Sequence, residues 1–206
     1  MPEIINLQHQ FEQALERSIE ILNAGGLIVF PTDTIYGLAA KFDNLSAIQR
    51  IYTVKDRDQT KALAVLVGNI SQVEEVSDEI PPCAKRLMEK FWPGALTIVL
   101  QKSNKIATPL SLDNSIGVRI PNDRFVRLLS ENVGPLATTS ANISGFPSTT
   151  NVSEVLAQLK ELVDLVVDGG ESPGGIASTV VDCRKNVIEF LREGAISKQD
   201  IVNTQN

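Results

Sequence analysis

Lys55 and Arg57 are two cations separated by one residue. Ser140 and Asn142 are two neutral hydrogen-bonding groups at the same spacing. Lysine and arginine both hold phosphate oxygens, and arginine does so in bidentate fashion. A hydroxyl and a carboxamide bind further oxygens without adding charge. Two cations suit a polyphosphate; the neutral pair suits a ligand that must be oriented as well as held. Each motif has a plainer reading, since basic residues favour a helix C-terminus and Ser and Asn favour turns. Taken together they point to a nucleotide-using enzyme. No Gly-x-x-x-x-Gly-Lys-[Ser/Thr] loop is present, so a Walker-type ATPase is excluded.

The elements that must position these residues are legible as a pattern. Phe11, Leu15, Ile19 and Leu22 predict an amphipathic helix over residues 11–23, stopped by Gly25-Gly26. Leu27 to Phe30 reads as a buried strand ended by Pro31, followed by the polar turn Thr32-Asp33-Thr34. A helix over 46–54, with Ser46 as its cap, leads into Lys55 and Arg57. Strands are expected over 62–67, 96–100, 115–120, 136–139 and 165–167, with a closing pair over 178–181 and 187–191. Helices are expected from Pro81-Pro82 to Lys90, from Asn122 or Asp123 to Ser130, and over 152–162. Residues 171–178 read as a loop freed by Gly174 and Gly175, and the tail after Ser197 as a fraying end. This alternation predicts one α/β domain, 1–206, with a mixed sheet.

Composition narrows the function classes. The net charge is −6, from 19 basic and 25 acidic residues, which argues against a protein whose main task is to grip nucleic acid. Local basic residues on an acidic body suit a small anionic ligand. His9, the only histidine, lies in a polar run, which excludes His-centred triads. Cys83 and Cys183 have no metal spacing and read as reduced thiols of a cytosolic protein. Neither a membrane span nor a secretory signal is expected, so the expected location is the cytoplasm.

Six pieces occur in order: 25–38 (GGLIVFPTDTIYGL), 55–57 (KDR), 91–94 (FWPG), 117–121 (GVRIP), 139–145 (TSANISG) and 178–182 (STVVD). With these, the chain resembles the YrdC/TsaC family, the threonylcarbamoyl-AMP synthases, from about residue 11 to 197. The resemblance implies a twisted mixed sheet flanked by helices around a positively charged cavity, in a short single-domain form. It implies condensation of L-threonine, bicarbonate or CO2, and ATP into L-threonylcarbamoyl-adenylate, with release of pyrophosphate. The product would pass to a tRNA threonylcarbamoyl-transferase complex, with weak or no direct tRNA binding and no membrane partner.

By the same resemblance, Lys55, Arg57, Ser140 and Asn142 are the catalytic set. Arg57, Lys61, Ser115, Thr138, Ser140, Ser148 and Arg192 would contact ATP, and Thr32, Arg119 and Ser178 would contact threonine. Arg119 is the expected carboxylate partner, because an arginine between apolar strand neighbours needs a partner if it faces inward. Ala62 stands where the family usually has proline. No metal ligand is expected from the chain, and Mg²⁺ would be held mainly by ATP oxygens and water. The competing reading is a non-catalytic RNA-binding module in tRNA or ribosome maturation.

Overall fold

Strand residues in this chain send alternate side chains to opposite faces of one sheet, and both faces are apolar over much of it. The computed structural model describes residues 1–104, 106, 110 and 113–204. In chain order the elements are β1 (Glu3–Asn6), α1 (Phe11–Asn23), β2 (Ile28–Phe30), β3 (Gly37–Lys41), α2 (Leu45–Lys55), β4 (Ala64–Leu66), α3 (Ile70–Val76), α4 (Pro82–Phe91), β5 (Leu96–Gln101), β6 (Ser115–Arg119), α5 (Arg124–Val133), β7 (Leu136–Ser140), α6 (Val152–Leu159), β8 (Leu165–Asp168), β9 (Thr179–Asp182), β10 (Glu189–Arg192) and α7 (Lys198–Val202). The strands form one sheet in the order β1-β8-β2-β3-β7-β4-β6-β5-β9-β10. Parallel pairs (β1–β8, β2–β8, β4–β6, β5–β9) sit among antiparallel ones, so the sheet is mixed as expected.

One face packs against α2, α3, α4 and α6. Val29, Leu38, Val65, Ala137 and Val166 meet Ile51, Val73, Leu87 and Val155 there. The opposite face is covered only in part. Ile28, Phe30, Ala39, Leu66, Leu136 and Leu165 lie under α1 and α5, where Phe11 meets Phe125 edge-on at 5.9 Å. Beyond that cover, β6, β5 and β9 turn Ile116, Val118, Ile98 and Val181 into the helix-covered core. Their alternate residues, Ser115, Gly117, Arg119, Thr97 and Asp182, line a cavity on the other side.

Local chemistry moves several expected boundaries. The α2 cap is Asn44, whose side chain accepts the Ala47 N–H, rather than Ser46. The α5 cap is Asp123, accepting the Val126 N–H at 2.9 Å. On α1 the deeply buried positions are Ala14, Ser18, Ile21 and Leu22, while Phe11, Leu15 and Ile19 sit partly covered at the edge of the stripe. The tail does not fray at Ser197: that hydroxyl accepts the Asp200 N–H, and Ile201 is buried in the core. β1, β3 and α3 have too short a pattern to be separated from loop by period alone.

Candidate functional site

The cavity measures about 410 Å³, and the open half of the sheet is its floor. Nine of the twelve expected site residues line it: Thr32, Arg57, Ser115, Arg119, Thr138, Ser140, Ser148, Ser178 and Arg192. They come together because β7, β4, β6, β5 and β9 are consecutive neighbours in the sheet. Ser115 and Arg119 share a face of β6, as Thr138 and Ser140 do on β7. Gly37 and Gly117 keep that floor low. A Cβ on Gly37 would lie 3.2 Å from both the Phe30 ring and the Thr138 methyl, and one on Gly117 would lie 3.3 Å from the Thr97 methyl.

Three expected residues stand outside the lining: Lys55, Lys61 and Asn142. Lys55 ends α2, and the chain then reverses through Asp56, which adopts left-handed φ 47°. That reversal separates the two cations. Lys55 points inward and is 1 % exposed, while Arg57 reaches the cavity. The Lys55 Nζ donates to the carbonyl oxygens of Ser140 and Asn142, and its own carbonyl accepts the Ser144 N–H at 2.8 Å. It thus holds the loop after β7 from behind the cavity lining. Burial, and secondarily Arg57, draws its pKa down to about 7.

Asn142 is also buried: its Nδ2 donates to the Ile143 and Phe146 carbonyls at 2.8 Å, which shapes the loop, and its Oδ1 has no partner among the described residues. Lys61 is exposed on the segment between α2 and β4.

The three cavity arginines outside the Arg184 cluster have different partners. Arg57 donates to the carbonyls of Lys61 (3.4 Å) and Ala62 (2.8 Å). Arg192 belongs to β10, one position past the strand expected for it, and donates to the Ser178 carbonyl at 2.8 and 3.2 Å. Arg119 is 5 % exposed. Its Nε donates to the Gly94 carbonyl at 2.9 Å, one terminal nitrogen to Thr34 Oγ1 at 3.0 Å, and the other to Asp33 Oδ1 at 2.5 Å. The partner that an inward arginine requires is therefore Asp33. Burial lowers the pKa of all three guanidiniums, and Asp33 opposes this at Arg119 alone.

Sequence reasoning passed over several lining residues. Thr97 Oγ1 lies 2.8 Å from Ser178 Oγ, and Thr34 Oγ1 lies 2.9 Å from Thr32 Oγ1. Arg184 binds Asp182 through Nε and a terminal nitrogen, and reaches Asp113 at 2.8 Å. Burial pushes the Asp182 carboxyl up, but the Arg184 bonds outweigh it and hold it below the usual range. The polar–apolar alternation of Ser115-Ile116-Gly117-Val118-Arg119 and of Thr97-Ile98 was the signal that could have found this face.

A mixed sheet with one face left open over an arginine-bearing cavity defines the class of α/β domain. The family model Sua5_yciO_yrdC, described as "Telomere recombination", matches residues 20–194, and the chain belongs to that family. It is 35% identical over 190 residues to a threonylcarbamoyl-AMP synthase of Bacillus subtilis, covering 91% of this chain and 55% of that protein. A Pyrococcus abyssi Sua5 structure complexed with L-threonine superimposes with a TM-score of 0.93 at 31% identity, over 99% of this chain and 60% of that one. Escherichia coli YciO superimposes at 0.84 and 26% identity, over 94% and 96%. The chain thus spans little more than half the length of the first two relatives.

Proposed function

We propose that this chain is an adenylyl-transferring enzyme, an L-threonylcarbamoyl-adenylate synthase. One observation carries the reading: a single cavity gathers the residues expected for ATP, Lys61 excepted, together with those expected for threonine, with Arg57 and Arg192 free of carboxylate partners among the described residues. Threonine-bound Sua5 and the names of the relatives support this over the RNA-binding reading.

Threonine's free amine adds to CO2 and passes a proton to solvent water, giving a carbamate. A carbamate oxygen attacks the α-phosphorus of ATP, the bond from the α-phosphorus to the bridging oxygen breaks, and pyrophosphate leaves with the electron pair. In that transfer the nucleophile is already an anion, so the attack on phosphorus needs no general base. The chain's work is placement and charge stabilisation. Arg57 and Arg192 hold phosphate oxygens as charge gathers on them. Arg119 keeps two N–H groups, one on each terminal nitrogen, after its three bonds, and these suit the threonine carboxylate. The Thr32 hydroxyl is tied to Arg119 through Thr34, and the Ser178 hydroxyl lies between Thr97 and Arg192. Lys55 acts through the carbonyls of Ser140 and Asn142 and is a positioning residue. Among the described residues no group of three or more His, Cys, Asp or Glu could form a metal cage. Mg²⁺ would accompany the ATP oxygens and water, where it would neutralise phosphate charge. The adenylate would be consumed by a tRNA-modifying transferase, and the reaction is assigned to the cytoplasm.

Pyrophosphate release from ATP and Mg²⁺ tests the reading, measured with and without L-threonine and bicarbonate, with L-serine as the control. Release that needs both substrates and is weak with serine is expected. ATP binding without release, or no ATP binding, overturns it.

A further inference from the structure

The cavity arginines differ in charge balance. Arg184 is shared by Asp182 and Asp113, and Arg119 by Asp33, whereas Arg57 and Arg192 bond only to carbonyls and one hydroxyl among the described residues. Asp33 does not line the cavity. It stands behind Arg119, with its side chain 15% exposed against 7% for the arginine's. Its backbone is backed by Gly174, where an added Cβ would lie 2.6 Å from the Asp33 carbonyl oxygen.

A buried ion pair has no net charge. It receives a zwitterion, which brings none, at low cost. A phosphate chain brought against it must also approach the carboxylate, and at low dielectric that repulsion is large. A lone buried guanidinium has the opposite preference and draws the most highly charged anion available. We propose that Asp33 is the specificity-determining counter-charge of this cavity: it reserves Arg119 for an amino-acid carboxylate and confines phosphate groups to Arg57 and Arg192. The inference rests on the synthase reading for the identity of the amino acid, but not for the division of the cavity. Asp33 is a positioning residue acting through Arg119.

The test is calorimetric titration of the full chain with L-threonine and, separately, with inorganic pyrophosphate. Wild type is expected to bind one pyrophosphate, with threonine affinity unaffected by it. Asp33→Asn should weaken threonine by about tenfold or more, make threonine and pyrophosphate compete, and open a second pyrophosphate site. Asp33→Glu, which keeps the charge, should bind one pyrophosphate as wild type does. A folded Asp33→Asn with wild-type threonine affinity and a single pyrophosphate site overturns the proposal. If wild type fails to bind threonine, the synthase reading falls, while the pyrophosphate count still decides this one. If Asp33→Asn does not fold, the double variant Asp33→Asn/Arg119→Gln decides. Recovery of the fold shows that the missing counter-charge was the fault, and continued failure overturns the charge argument.

Discussion

Replacing Lys55 by methionine keeps an unbranched side chain one atom shorter and removes its donors. The carbonyl oxygens of Ser140 and Asn142 then lose the amine that bonds them in a region closed to water. Each orphaned acceptor costs about 1–3 kcal/mol. Removing a buried ammonium returns part of that, so a net loss of about 2–4 kcal/mol is expected at pH 7.

The pH dependence follows from the folded-state pKa of about 7, against an ordinary 10.5. Below about pH 7 both states carry the proton and the cost of burying it is fully present. Between about pH 7 and 10.5 the unfolded chain holds a proton that the folded chain has shed, so native stability rises with pH through that window. A neutral amine still donates two N–H bonds, and two carbonyls await them, so the clamp survives deprotonation. The stability gap between wild type and Lys55→Met should therefore widen from pH 7 to 9 by up to about 3 kcal/mol. Urea denaturation at pH 6.5, 8 and 9 reads this directly. A gap that stays constant, or narrows, refutes the reasoning. The same substitution should cut adenylate formation by about 100-fold with little change in ATP affinity, because a displacement of about 1 Å at Ser140 misplaces a contact without removing it.

Arg57→Ala should slow adenylate formation by about 10- to 100-fold, whereas Lys61→Ala, which alters an exposed side chain, should change it less than about threefold; single-turnover rates compare the two. Gly174→Ala places a methyl 2.6 Å from the Asp33 carbonyl oxygen and 2.9 Å from Thr34 Cα. It should weaken threonine in calorimetry well before ATP, and equal loss for both would contradict the assignment of subsites. Tyr36 donates its hydroxyl to the Gly170 carbonyl at 2.7 Å and accepts the Gly169 N–H at 3.2 Å. Tyr36→Phe should cost about 1–3 kcal/mol, seen as a lower melting temperature with the sheet intact.

Much of the molecule was legible in the residues themselves. Leu96 to Gln101 carries a short apolar run, and Ser115 to Arg119 and Leu136 to Ser140 carry short mixed segments between breakers; each is a strand. The α/β mixture followed from such local signals, because period, caps and turn residues act over a few positions; the family followed from the six ordered motifs, and nine of the twelve residues that the resemblance implied for the site line one cavity. Strand order did not follow. β7 sits between β3 and β4, antiparallel to both, and no local signal in any of the three strands sets those distant neighbours. The same is true of the partners. Lys55 meets Ser140 and Asn142 from 85 and 87 positions away, and Arg119 meets Asp33 from 86. Lys55 and Arg57 read as one cationic pair in the sequence; the left-handed residue between them sends one into the core and the other to the cavity. Local chemistry thus chose which residue types were present. Only the assembled sheet decided which charges were neutralised, because electrostatic pairing depends on distance in space and on exclusion of water, and neither is written in the spacing.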